Sequence, residues 1–133
     1  MGDTRPIAPG LFTDDAGPRL LAGRCGDCRE LHFPAAETCP YCGAAATTES
    51  VGPYATLRLF TVVQNAPPGY LGPIPYGFGV VELDGTGLCV LGRLDETSIE
   101  RLRPGLPMRL RIAPLFTDGD GASVLSWSFA VDA

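Results

Sequence analysis

The sequence has no lysine: its ten basic residues are all arginine, against fifteen acidic ones, for a formal charge of −5 over 133 residues. The missing lysine is read as codon bias in a GC-rich, bacterial genome. The acidic balance argues against non-specific binding to nucleic acid. Charge is also missing locally, since no ionisable Asp, Glu or Arg falls between Leu59 and Val81. No apolar run reaches the roughly eighteen residues needed to span a bilayer. The opening "MGDTRPIAPGLF" lacks the basic region and apolar stretch of a secretory signal. A cytoplasmic location is therefore expected, where clustered cysteines serve metal or redox chemistry rather than structural disulfides. Histidine is nearly absent too: His32 stands alone, and no glycine-rich phosphate loop of familiar spacing occurs.

What remains is globular in composition and turn-rich, with 17 glycines and 13 prolines favouring short strands over long helices. The length suits one ordinary domain, or a small module stapled to a domain of modest core. The two parts divide at about residue 50. Residues 1–50 hold an N-terminal segment and four of the five cysteines; residues 51–133 are rich in β-branched and aliphatic runs.

In "CGDCRELHFPAAETCPYC", Cys25, Cys28, Cys39 and Cys42 form two Cys-x-x-Cys turns separated by ten residues. Each such turn presents two sulfurs to one ion, and the spacer can fold as a hairpin that brings the turns together. A tetrahedral zinc site is expected. Iron is the competitor, because "CPYCG" resembles a rubredoxin knuckle, but rubredoxin knuckles lie much further apart. A site of four cysteines has no open coordination position, so structural Zn2+ here orders the chain and activates nothing.

The second half reads as five strands: Tyr54 to Gln64, Tyr76 to Asp84, Gly87 to Leu94, Met108 to Ile112 and Ser123 to Val131. Asp84-Gly85-Thr86 suits a tight hairpin. Thr97 or Ser98 opens one short helix that stops at Pro104-Gly105. Period two places Leu125, Trp127, Phe129 and Val131 in a core and Ser126, Ser128 and Ala130 in solvent. Five strands with a helix between the third and fourth is the order of an OB-fold barrel. The expected fold class is mainly β, a zinc ribbon followed by a five-stranded OB-fold barrel with one short helix.

No catalytic set emerges. His32 is expected in a solvated loop and Cys89 as a small buried apolar residue between Leu88 and Val90. Two groups of surface candidates remain. The loop "NAPPGYLGPIPY" offers Tyr70, Leu71, Ile74 and Tyr76 as anchors for a protein or ligand, or else folds back as a lid over its own core. Arg101, Arg103, Arg109 and Arg111 concentrate positive charge that could take the phosphates of coenzyme A, or simply face solvent.

The motifs "RLLAGRCGDC", "FPAAETCPYCG", "LFTVV", "PYGFGVVELDG" and "CVLGRL", in this order, resemble the family catalogued as domain of unknown function 35. That family joins a rubredoxin-like zinc ribbon to an OB-fold and is described as acyl-CoA-associated. Arg29 departs from it, standing where the first knuckle usually has glycine. The resemblance implies a non-catalytic accessory subunit of a thiolase-superfamily enzyme, either a thiolase or a thiolase-like aldolase such as those that shorten steroid side chains. The catalytic residues would then come from the thiolase-fold partner. Two further readings stand beside it: a nucleic-acid-binding ribbon and OB module, which should show a basic groove, and a free-standing acyl-CoA-binding protein.

Overall fold

A computed structural model describes residues 3–132. The cysteine-bearing half forms an antiparallel sheet around β3 (Arg19–Cys25), flanked by β2 (Phe12–Thr13), β4 (Leu31–His32) and β5 (Ala46–Val51). Its apolar side, with Leu20, Ala22, Leu31 and Val51, joins the same buried cluster as Ala55, Leu57, Met108 and Phe129 of the second half. A ribbon too small for a core of its own thus borrows one from its neighbour.

The second half closes into a barrel. β6 (Tyr54–Val63), β7 (Tyr76–Leu83) and β8 (Cys89–Leu94) run as an antiparallel meander. β8 then pairs in parallel with β10 (Ser123–Val131), β10 pairs antiparallel with β9 (Pro107–Thr117), and β9 returns to β6. The ring is closed by short pairings, three residue pairs between β6 and β9 and two between β8 and β10. This is the expected five-stranded OB architecture.

The short helix is reduced to one 3-10 turn, Ile99–Arg101. The Ser98 side chain does not cap it; instead the Glu96 carboxylate accepts the amides of Thr97 and Ser98, each at 3.1 Å. Among the described residues, no helix is long and apolar enough to cross a membrane.

Three local features depart from simple alternation. A bulge at Arg58 shifts the β6–β7 register between Leu57 and Leu59. Ala55 and Leu57 point inward before it, whereas Phe60 and Val62 pack inward after it and Leu59 is left outside. Ser126 and Ser128, expected in solvent, are buried, so both faces of β10 are covered; this strand pairs with β8, β9 and the N-terminal β1 (Thr4–Pro6). β1 itself was not legible as a strand. It is fastened by the Arg5 Nε to Asp118 Oδ2 pair at 2.8 Å and by the Ile7 amide, which donates to the Leu125 carbonyl.

Candidate metal centre and docking surface

The four cysteines converge. Cys25 ends β3, Cys28 follows in the first turn, and Cys39 and Cys42 bracket the second; their Sγ atoms all lie within 4.8 Å of one another. Sulfurs 3.4 Å apart (Cys25 and Cys42) and 3.7 Å apart (Cys28 and Cys39) approach the edge of about 3.8 Å that four Zn–S bonds of about 2.3 Å would define. Backbone amides point at the buried members: Asp27 and Cys28 donate to Cys25 Sγ at 3.3 Å, and Tyr41 donates to Cys39 Sγ at 3.4 Å.

The electrostatics call for a cation. The Asp27 amide, above all, holds the Cys25 thiol down to about 6, helped by the Cys28 amide and opposed by burial. The amide of Glu30 pulls the Cys28 thiol down, but desolvation and the sulfurs of Cys25, Cys39 and Cys42 together outweigh it and push it up to about 12. Four thiolates this close repel one another, and a divalent ion among them would supply the counter-charge. Cys25, Cys28, Cys39 and Cys42 fit structural zinc, which supplies folding and no Lewis-acid chemistry once its four positions are filled.

The shell around the site is held by Arg24. Its Nε and Nη2 reach the two oxygens of Glu49 at 3.2 and 3.0 Å, and its Nη1 donates to the Arg29 carbonyl at 2.7 Å. Arg29 has φ 68°, the left-handed conformation that favours glycine, so the departure from the family pattern falls where the knuckle turns.

Two expectations about single residues are corrected. His32 is not solvated: it lies on β4, is 4% exposed, and its Nε2 accepts the Ala36 amide at 3.2 Å. Gly23 sits opposite it in the sheet, and the missing Cβ leaves the space that the imidazole fills. Cys89 is not buried. It is exposed between buried Leu88 and Val90, as alternation requires of a residue between two inward neighbours.

Of the surface candidates, the structure brings Tyr70 and Tyr76 together, with ring centroids 4.7 Å apart. The Tyr70 hydroxyl donates to the Pro73 carbonyl at 2.7 Å, while Leu71 and Ile74 stand exposed. No described residue of the loop belongs to the buried core cluster. Burial raises the Tyr70 phenol above its ordinary range, and nearby Arg93 pulls the other way.

The arginines are dispersed by comparison. Arg101 pairs with Glu96 at 3.8 Å and Arg111 with Asp95 at 2.7 Å, Arg109 lies over the Tyr54 ring, and Arg103 is exposed. Arg109 and Arg111 share a depression with Pro18 and Asp132 that neither Tyr70 nor Tyr76 lines. Arg93 was missed in the sequence: its guanidinium carbon is 5.6 Å from the centroid of the Tyr76 ring. Its signal would have been its place on β8, level with Phe78 of β7.

Two family models cover this arrangement. One described as "ChsH2, rubredoxin-like zinc ribbon domain" matches residues 16–48, and one described as "ChsH2, C-terminal OB-fold domain" matches residues 48–113. The chain belongs to the DUF35 family. A DUF35 domain-containing scaffold protein of Methanocaldococcus jannaschii is 26% identical over 103 residues, which span 76% of this chain and 72% of that one. Among solved structures, an Ltp2-ChsH2(DUF35) aldolase matches with a TM-score of 0.67 and 22% identity, covering 86% of either chain. A DUF35 protein of unknown function from Sulfolobus solfataricus matches with a TM-score of 0.53 and 15% identity, covering 86% of this chain and 76% of that one. At these identities the structural likeness is one of fold.

Proposed function

We propose that the chain is a non-catalytic accessory subunit that docks on a thiolase-like enzyme and helps shape the channel through which an acyl-CoA substrate reaches the partner's active site. The observation that carries this reading is an aromatic, uncharged surface, Tyr70 to Tyr76, left uncovered by the chain's own core. The names of the DUF35 relatives, a scaffold protein and an aldolase that pairs Ltp2 with ChsH2, support it. The metal centre belongs to the same reading: with all four positions taken by sulfur, zinc fixes a docking module instead of attacking a substrate.

The finer assignments rest on the family. The partner is a thiolase-fold subunit, the reaction is retro-aldol cleavage of a branched acyl chain on coenzyme A, and a steroid side chain is the candidate substrate. Tyr70, Leu71, Ile74 and Tyr76 contact the partner or the acyl chain. Arg101, Arg103, Arg109 and Arg111 lie nearest the coenzyme's phosphates. Co-expression with a thiolase-like subunit of the host tests the reading. A complex that co-elutes with one zinc per accessory chain is expected, and two separate elution peaks would contradict it.

A further inference from the structure

The uncharged stretch from Leu59 to Val81 folds into one outward face of the barrel. Strands normally turn their large apolar residues inward, but in Tyr76-Gly77-Phe78-Gly79-Val80 the order is inverted. The glycines point inward because the wall has no room: a Cβ on Gly77 would meet Leu94 Cβ at 2.8 Å, and one on Gly79 would run into the Leu59 carbonyl. The aromatic bulk therefore stands outside. The bulge at Arg58 adds Leu59 to this face, 67% exposed, and β8 adds Leu91, 58% exposed. Register aligns Leu59, Val80 and Leu91 across three strands, with Thr61, Phe78 and Arg93 in the next row. Leu59, Thr61, Phe78, Val80 and Leu91 border a shallow hollow of about 200 Å³.

Arg93 is the only charge in these rows. Its Nε is buried with no hydrogen-bond partner, and no carboxylate among the described residues pairs with it. Arg58, Arg101 and Arg111 each have a carboxylate of their own. An arginine stacked on tyrosine, and level across the strands with Phe78 of the apolar hollow, is the composition of an interface hot spot that lacks its counter-charge.

We infer that this face is the seat of the thiolase-like subunit: an apolar patch of the partner covers Leu59, Phe78, Val80 and Leu91, and a partner carboxylate pairs with Arg93. The inference rests on the accessory-subunit reading and names the surface and charge that reading needs. A second copy fits less well. A two-fold contact is self-complementary, and the nearest carboxylate on this side of β7, Glu82, is already paired with Arg58 at 2.9 Å. A small molecule fits less well too, since the hollow is smaller than the roughly 300–1,000 Å³ of ordinary ligand pockets.

The test is calorimetric binding of the full zinc-loaded chain to the purified thiolase-like subunit of the host. Phe78→Asp, Leu91→Asp, Arg93→Ala and Arg93→Glu are compared with Thr47→Asp on the ribbon's exposed strand. Zinc content and circular dichroism check that each variant is folded. The face variants are expected to bind about tenfold or more weakly, Arg93→Glu worse than Arg93→Ala, with Thr47→Asp unchanged. Amide hydrogen exchange on the wild-type complex, which needs no variant, should show protection at residues 59–63, 76–80 and 91–93. Binding that survives the face variants, with protection elsewhere, overturns the inference and leaves the accessory role standing. Failure of the wild-type chain to bind overturns both. Self-association lost in Leu91→Asp, seen by sedimentation velocity, assigns the face to a second copy and also overturns it.

Discussion

The imidazole of His32 occupies the space where a side chain on Gly23 would begin. The two residues face each other across β3 and β4, so the ribbon's only histidine and its mid-strand glycine form one packing unit. Gly23→Ala is therefore expected to cost about 1–3 kcal/mol through overpacking. His32→Ala should relieve that penalty in the double variant. Denaturant unfolding of the four proteins of the cycle measures it, and additive costs would mean that the two do not share the space.

The metal centre makes a separate prediction. Cys25→Ser, or treatment with a chelator, should release zinc and disorder the ribbon, uncovering Leu20, Ala22 and Leu31 and destabilising the barrel that shares their core. Cys89→Ser should leave zinc content and melting temperature unchanged. Alkylation provides a direct readout: Cys89 alone is labelled in the zinc-loaded chain, and all five cysteines after chelation.

Arg29 stands at a left-handed position without being glycine. Arg29→Gly should stabilise the chain by up to about 1–2 kcal/mol, the conformational penalty it removes. The Arg24 contact survives the change because it uses the carbonyl of residue 29 rather than its side chain. Thermal unfolding of the zinc-loaded variant tests this.

Asp118 ties β1 to the barrel, and the Arg5 guanidinium, with the amides of Ala122 and Asp120, holds its carboxyl below the ordinary 3.8. A pKa lowered by folding contributes stability above the ordinary carboxylate range and loses it as pH falls through the lowered value. The melting difference between wild type and Asp118→Ala should thus be present at neutral pH and close in acid. A difference independent of pH would mean that packing alone holds the strand.

Much of this was legible before any coordinates. The Cys-x-x-Cys spacing specified the metal site because ligand chemistry tolerates few alternatives, and β6 to β10 followed from runs of β-branched residues between turn signals. The losses came where a tertiary event overrides a local pattern. One extra residue at Arg58 reverses which side chains face the core, so Leu59 could not be placed from alternation alone. His32 is buried by a glycine nine residues earlier in the chain. β1 is three residues long and has no period to detect. Arg93 resembles any other strand arginine until Tyr76 is seen beneath it. The outward aromatic face was legible as a charge-free segment, but its inversion depends on the interior having no room beside Gly77 and Gly79.

The most direct measurement is turnover of an acyl-CoA substrate by three preparations: the isolated chain, the isolated thiolase-like subunit of the host, and their mixture. The accessory role predicts no turnover by the chain alone, and partner activity that rises with added chain and saturates at a fixed stoichiometry. Turnover by the chain alone, or partner activity indifferent to its presence, would contradict it.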